Sequence, residues 1–175
     1  MLRPLGFEDT EELLAYRGRA DVCRHLPFEP MDERVLARRL AGNLGRREIT
    51  AEGQALTLGA ELSANGRLVG DVTLFFHSAH HAGGEIGYAF HPDIAGQGYA
   101  TEACAAVLNL AFDTVDGLGL HRVVARIDAR NSASLRLAAR LGMRQEAHHR
   151  SSEMFKGGWA DVIVYALLDD EWHAR

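Results

Sequence analysis

The sequence has few cysteines, no long apolar run and no excess of positive charge. Its two cysteines among 175 residues follow no disulfide spacing, which fits a reducing compartment. No stretch is long and apolar enough to cross a bilayer, and the N-terminus turns acidic too early for a signal peptide. We therefore expect a cytoplasmic protein without a membrane partner. The net charge of −5 argues against nucleic acid as a partner, because phosphate backbones favour basic surfaces.

The sequence also lacks a recognisable metal-binding pattern. His77, His80 and His81 cluster in one predicted loop, but no cysteine or acid accompanies them at ligand spacing. We interpret them as polar loop residues and expect no metal site.

One domain covering residues 1–175 fits the length and the apolar content of 47%. A short strand at 2–5 is predicted first, followed by a helix that begins at Asp9 or Thr10 and a second helix that begins at Asp32. The remaining predicted elements are strands 55–63, 67–76 and 84–91, a buried helix 99–113, a strand 121–128, a helix 132–141 and strands 144–155 and 161–168. This order predicts an α+β, or mixed α/β, fold.

The segment just before the buried helix is rich in small residues. Gly96, Gly98 and Ala100 leave the backbone accessible, and the first amides of a helix have no partner inside it, so a phosphate fits there. A P-loop needs a lysine that is absent, and a Rossmann fingerprint needs a third glycine where Thr101 stands. The alternative is a tight turn that needs glycine only for a positive φ, and glycine spacing alone does not decide between the two.

Four motifs stand in a fixed order: GEIGYAFHP (84–92), AGQGYATEA (95–103), HRVVARIDARNSAS (121–134) and RLAARLGM (136–143). Together they resemble the GNAT superfamily of N-acetyltransferases, most closely the RimJ/RimL type that acetylates ribosomal-protein N-termini. The resemblance implies a central, mostly antiparallel sheet of six to seven strands, flanked by about four helices, with a splayed parallel pair at the cofactor cleft. It implies acetyl-CoA as cofactor and a primary amine as acceptor.

The resemblance also assigns cofactor-binding residues. Backbone amides of the glycine-rich loop hold the CoA pyrophosphate, and the pantetheine arm runs along the strand from Tyr88 to His91, where an amide near Phe90 polarises the thioester carbonyl. Asn131 contacts the arm. Ala95 departs from the Arg, Gln or Trp common at its position, so a side-chain contact is lost there. The full set is Phe90, His91, Ile94, Ala95, Gly96, Gln97, Gly98, Tyr99, Ala100, Thr101, Asn131 and Ser134.

Catalysis by direct attack in a ternary complex needs a base for the amine and a proton for the leaving sulfur. We favour Glu153, which matches an acid of the RimL-like members, for polarising the amine, and Ser134 for helping to protonate the sulfur. Glu85 is a second candidate for steering or deprotonating the amine. Each glutamate has an ordinary strand role as its alternative. A covalent route through Cys23 or Cys104 is disfavoured, because neither has an evident supporting base.

Several functions stay open from the sequence. The acceptor is either a protein N-terminal α-amine or a small-molecule amine such as an antibiotic. A non-catalytic acyl-CoA-binding sensor would keep Gly96, Gly98 and Asn131 without needing an acid. A dinucleotide oxidoreductase is a weaker alternative. A homodimer is an open alternative too, since dimers are common in the family that this chain resembles.

Overall fold

A computed structural model describes residues 1–175. Seven strands and six helices follow one another, with single 3₁₀ turns at Phe7–Asp9 and Pro92–Ile94. In chain order the elements are β1 (Leu2–Pro4), α1 (Thr10–Arg17), α2 (Ala20–Cys23), α3 (Glu33–Leu40), β2 (Ala55–Glu61), β3 (Leu68–Ser78), β4 (Gly83–Phe90), α4 (Tyr99–Phe112), β5 (Arg122–Asp128), α5 (Ser132–Arg140), β6 (Arg144–Phe155), β7 (Gly158–Leu168) and α6 (Asp169–His173). No helix among them has both the length and the apolar character that a membrane span requires.

All seven strands form one sheet in the order β1-β2-β3-β4-β5-β7-β6. Every neighbouring pair is antiparallel except β4 and β5, which are parallel. The chain between these two strands contains α4, because parallel neighbours need a crossover connection. Their ladder is short: only Gly83–Glu85 pairs with Arg122–Val124. Beyond these residues the two strands separate, and a wedge opens in the middle of the sheet.

The two faces of the sheet are covered by different helices. On one face, which we call the α4 face, side chains such as Val72, Ile86 and Val123 pack in one buried cluster with residues of α4 and α5. On the opposite face, the α1 face, β3 and β4 meet a second cluster built from α1 and α3, whose Leu36 and Leu40 are buried. Successive side chains of a strand lie on opposite faces of the sheet, so the strands contribute to two separate cores.

A buried ion pair fastens α1 to the sheet. The Arg17 guanidinium donates to both carboxylate oxygens of Asp71 on β3, at 2.6 and 2.8 Å, and the Tyr16 hydroxyl donates to the same carboxylate at 2.5 Å. All three side chains are almost fully buried. The pair orients α1, because a buried carboxylate tolerates only an arrangement that satisfies its oxygens.

The predicted fold class is confirmed, including the mostly antiparallel sheet and the splayed parallel pair. Four helices have eight or more residues, as predicted. The short α2 and α6 were not predicted, because four or five residues are too few to show the helical repeat of apolar positions. The β2–β3 turn also differs in detail from a two-residue Asn-Gly turn. Gly66 has φ +74° and its amide donates to Leu62, whereas Asn65 does not have a positive φ.

Candidate active site

The wedge between β4 and β5 exposes a free strand edge. The His91 amide donates to the carbonyl of Val69 on β3 at 2.8 Å. Because successive residues of a strand direct their amides to opposite sides, the amides of Tyr88 and Phe90 face the wedge and not β3. The amide near Phe90, which the resemblance assigns to the thioester carbonyl, therefore lies on the side of the wedge. Such a donor suits a carbonyl oxygen that gains negative charge during a reaction.

A cavity of about 1090 Å³ lies beside the wedge, and we call it the larger cavity. Its walls come from the last residues of β4, the loop before α4, the first turn of α4 and one side of α5. Every predicted cofactor-binding residue except Gln97 and Tyr99 lines it. The Gln97 side chain instead donates to the carbonyl of Asp93, and the Tyr99 side chain is exposed. The Gln97 amide also has a partner, the Ile94 carbonyl at 3.3 Å, so of these two residues only Tyr99 offers a free amide to a ligand.

The mouth of the larger cavity presents unpartnered backbone donors. The amides of five residues make no hydrogen bond within the protein: Gly96, Gly98, Tyr99, Ala100 and Thr101. Gly96 and Gly98 have φ of +78° and +88°, and a Cβ added to either would have no atom within 4 Å. The cradle is therefore open, and only glycine leaves it so at this backbone geometry. Amides at a helix N-terminus favour an anion, so a diphosphate fits here.

Two arginines that sequence reasoning missed stand across from this mouth. Arg136 and Arg140 of α5 line the larger cavity, and Arg140 approaches the Thr101 hydroxyl at 3.4 Å. Both side chains are exposed to solvent. Their one-turn spacing places them on the same face of α5, which is the only sequence signal that identifies them. They add positive charge where the amides already favour a phosphate group.

A smaller cavity of about 350 Å³ lies on the α1 face of the sheet. The two cavities share six lining residues: His25, Leu26, Tyr88, Ala89, Asn131 and Ser134. We call this shared set the junction. A group bound in the larger cavity and a group bound in the smaller one can meet only there. Ser134 and Asn131, both predicted site residues, lie at this point.

Ser134 is held at the junction by its neighbours. Its amide donates to the Asn131 side chain at 3.1 Å, which caps α5, and its carbonyl accepts from the Tyr88 hydroxyl at 3.2 Å. The Ser134 hydroxyl itself makes no hydrogen bond within the protein and remains available to a ligand. Burial raises the pKa of Tyr88 well above its usual range, so its phenol stays a neutral donor.

Acidic groups of the smaller cavity already have basic partners. Glu85 lines this cavity and lies 3.1 Å from the His77 ring, and Asp71 is paired with Arg17. Asp128, at the end of β5, accepts from the Arg130 guanidinium at 2.6 and 2.9 Å. The lining therefore carries no unpaired cluster of carboxylates.

The second predicted acid lies elsewhere. Glu153 is on the edge strand β6, lines neither cavity and forms an ion pair with Arg126, which lines the smaller cavity. Two strands, β5 and β7, separate β6 from β4. The structure therefore brings Glu85, Ser134 and Asn131 to the cavities but leaves Glu153 connected to them only through an arginine.

Neither cysteine is placed for nucleophilic chemistry. Cys23 and Cys104 are buried, line neither cavity, and have pKa values raised by that burial. A buried thiol that resists ionisation is a poor nucleophile, which argues against a covalent enzyme intermediate.

Comparisons with known proteins agree with this geometry. Residues 1–144 match the profile of the family described as "Acetyltransferase (GNAT) domain". The uncharacterised N-acetyltransferase YnaD of Bacillus subtilis is 27% identical over 99% of this chain and 95% of its own. YdaF of the same species, a candidate ribosomal N-acetyltransferase, is 29% identical over 66% of this chain and 62% of its own. A solved GNAT-family acetyltransferase from Bacillus anthracis is 27% identical and has a TM-score of 0.85, covering 97% of this chain and 95% of its own.

Proposed function

The chain belongs to the GNAT family of acetyltransferases, and on that premise we propose that it acetylates the N-terminal α-amine of a peptide or protein. It is an acyltransferase of the N-acetyltransferase class, and its cofactor is acetyl-CoA. The acceptor class and the catalytic residues are the proposed part. We further propose direct attack by the amine in a ternary complex, which the two inert cysteines favour.

The observation that carries the proposal is the meeting of two cavities at one junction. The larger cavity has the open amide cradle, the arginines and the free strand edge that acetyl-CoA needs. The smaller cavity approaches the same point from the opposite face of the sheet. An acyl donor and an amine held in this way react as neighbours, and positioning of this kind contributes roughly 7–11 kcal/mol in well-oriented reactions.

The residues of the chain have distinct proposed tasks. The amides around Gly98 hold the diphosphate, and the Phe90 amide donates to the carbonyl oxygen as it becomes an oxyanion. The Ser134 hydroxyl is placed to supply a proton to the departing sulfur. Glu85 attracts the amine into the smaller cavity, whereas Glu153 acts on that cavity only by fixing Arg126.

Two observations support an α-amine over a polycationic acceptor. Of the three acids that line the smaller cavity, Asp71 and Asp128 pair with arginines, so Glu85 alone is available to an amine and a polyamine would find no acidic cluster. Arg39 lines the same cavity and forms no ion pair, so its guanidinium can donate to a carbonyl oxygen or carboxylate of a peptide. The partial similarity to YdaF, and the resemblance to the RimJ/RimL type, point in the same direction.

The experiment measures thiol release from acetyl-CoA with a panel of acceptors. The panel contains a short peptide with a free N-terminal alanine, the same peptide with a blocked N-terminus, spermidine and an aminoglycoside. We expect release only with the free peptide, together with a mass increase at its N-terminus. Release with spermidine or the aminoglycoside would contradict the proposed acceptor, and tight CoA binding without any release would indicate a sensor.

A further inference from the structure

We propose that His25, oriented by Asp128, is the proton acceptor for the amine in this reaction, an inference that rests on the proposed acetyl transfer. His25 was not among the residues that the sequence indicated. Three separate features of its surroundings lead to this assignment: its place at the junction, its buried acidic neighbour and the lack of another imidazole or carboxylate among the residues that line both cavities.

His25 occupies the meeting point of the two cavities. It follows the short helix α2 and is one of the six residues that line both the larger and the smaller cavity. Ser134, the proposed proton donor to the sulfur, is another. A base must come within hydrogen-bond reach of the proton that it removes, and this position meets the requirement for an amine that attacks at the junction.

Asp128 provides a fixed negative charge next to the imidazole. The Nδ1 atom of His25 is buried, has no hydrogen-bond partner and lies 3.8 Å from the Asp128 carboxylate. The Asp128 side chain is only 5% exposed. Hydrogen bonds from the Arg130 side chain and amide hold the pKa of Asp128 below its usual range, so the carboxylate stays ionised.

This arrangement selects one tautomer of the ring. A proton on Nδ1 lies on the side of the carboxylate, 3.8 Å away, where the negative charge favours it, and Nε2 is then left as the acceptor. The same division of labour, with an acid orienting an imidazole that takes the proton, is a general solution in hydrolytic enzymes. An imidazole is intrinsically a stronger base than a carboxylate, which favours it for accepting a proton from an ammonium ion.

The glutamates do not supply an alternative base at the junction. Glu85 stands four residues before Ala89 on β4, a separation of roughly 13 Å along a strand. Glu153 lines neither cavity. The charged groups that share the smaller cavity with His25 are Asp128, the Arg17–Asp71 pair, Arg39, Arg126 and Glu85. The larger cavity adds Asp21, His91, Glu102 and the arginines of α5.

Two protons leave the amine nitrogen during the proposed reaction. The α-amine arrives as an ammonium ion and gives one proton to Nε2 of His25. The neutral nitrogen attacks the thioester carbonyl, the C–N bond forms, and the C–S bond breaks as the tetrahedral centre collapses. The second proton leaves the nitrogen and reaches the sulfur through the Ser134 hydroxyl. His25 then releases its proton to solvent, so that each turnover yields the amide, CoA thiol and one proton.

The test compares His25→Gln with the matched control His148→Gln. His148 also faces an aspartate, Asp161, at 2.9 Å, but it lies on exposed β6 away from both cavities. With the free alanine peptide at pH 7, His25→Gln should lower kcat about a hundredfold or more while CoA affinity by calorimetry stays unchanged. His148→Gln should leave both unchanged.

Two readouts separate proton transfer from a structural role. The loss in His25→Gln should shrink as the pH rises above roughly 8, because an α-amine then arrives already deprotonated. Free imidazole should restore part of the rate of His25→Ala at pH 7. Asp128→Asn should show a smaller loss with the same pH dependence. A loss that is equal at every pH and not relieved by imidazole would overturn the assignment.

The outcomes also distinguish this inference from the function on which it rests. If the wild-type protein acetylates no amine of the panel, the proposed function and the role of His25 fail together. If the wild type turns over and His25→Gln retains kcat within about twofold, only the His25 assignment fails, since general-base catalysis contributes far more than that. Should His25→Gln not bind CoA, Asp128→Asn and its pH dependence decide the question in its place.

Discussion

The larger and smaller cavities are built from different parts of the chain. The larger cavity depends on backbone: free amides, two glycines at positive φ and an unpaired strand edge. The smaller cavity depends on side chains, whose charges are paired across elements that are distant in sequence, such as Arg17 with Asp71. This difference teaches that a backbone-built site tolerates variation in side chains, whereas a site built from paired charges is sensitive to each member.

The largest expected effect is on the side-chain-built cavity. Asp71→Asn leaves Arg17 buried beside a neutral amide, and losing one partner of a buried pair costs about 3–5 kcal/mol in the free energy of unfolding. Urea denaturation followed by circular dichroism measures this loss. The control is Asp21→Asn, which removes an exposed partner of Arg19 and should leave the denaturation midpoint unchanged. Equal midpoints for the two variants would contradict the importance of burial.

The next effect tests the backbone-built cavity. Gly98→Val puts a branched side chain at φ +88° and in the open cradle, so we expect the Kd for CoA to rise about tenfold or more, equal to ~1.4 kcal/mol. Gly66→Val is the control, because Gly66 also has positive φ and an open Cβ position, but in the β2–β3 turn. It should lose stability without losing CoA affinity, as calorimetry will show. Similar CoA binding by all three proteins would sink the cradle hypothesis.

The smallest expected effects are those of replacing the two candidate glutamates, Glu85 and Glu153. Glu85→Gln removes one partly exposed charge from the smaller cavity and should lower kcat/KM for the peptide about fivefold, as expected for ~1 kcal/mol. Glu153→Gln frees Arg126 at the surface and should change kcat/KM by less than about twofold, in line with exposed ion pairs. Thiol release at varied peptide concentration measures both. A larger loss in Glu153→Gln would return Glu153 to the role of base that the sequence favoured.

The contrast between the cavities also explains what the sequence could reveal. Gly96 and Gly98 stand in one short motif, which left a phosphate cradle and a tight turn as alternatives, and the resemblance to the GNAT superfamily favoured the cradle. His25 and Asp128 are far apart in sequence and meet only because the fold places the segment after α2 beside the end of β5. No spacing rule connects such residues.

Strand register limited the remaining assignments. Glu153 follows a register shift between His149 and Glu153 in the β6–β7 ladder, so alternation counted from the sequence does not determine its place. Arg136 and Arg140 occupy an ordinary-looking polar helix face, and only the fold shows that the face borders a cavity. The element order was predictable because each long helix and strand repeats its pattern several times.

The three-pair ladder between β4 and β5 has a mechanical consequence. The sheet consists of a four-stranded block, β1 to β4, and a three-stranded block, β5 to β7. Only three residue pairs of the β4–β5 ladder join the two blocks. With so few paired residues, the backbone hydrogen bonds of the sheet offer little resistance to separation of the two blocks. A pantetheine arm bound along the β4 edge of the wedge, as we propose, would lie between the two blocks where these pairs end. Bound coenzyme would then restrict movement of the blocks relative to each other, and its release would remove that restriction.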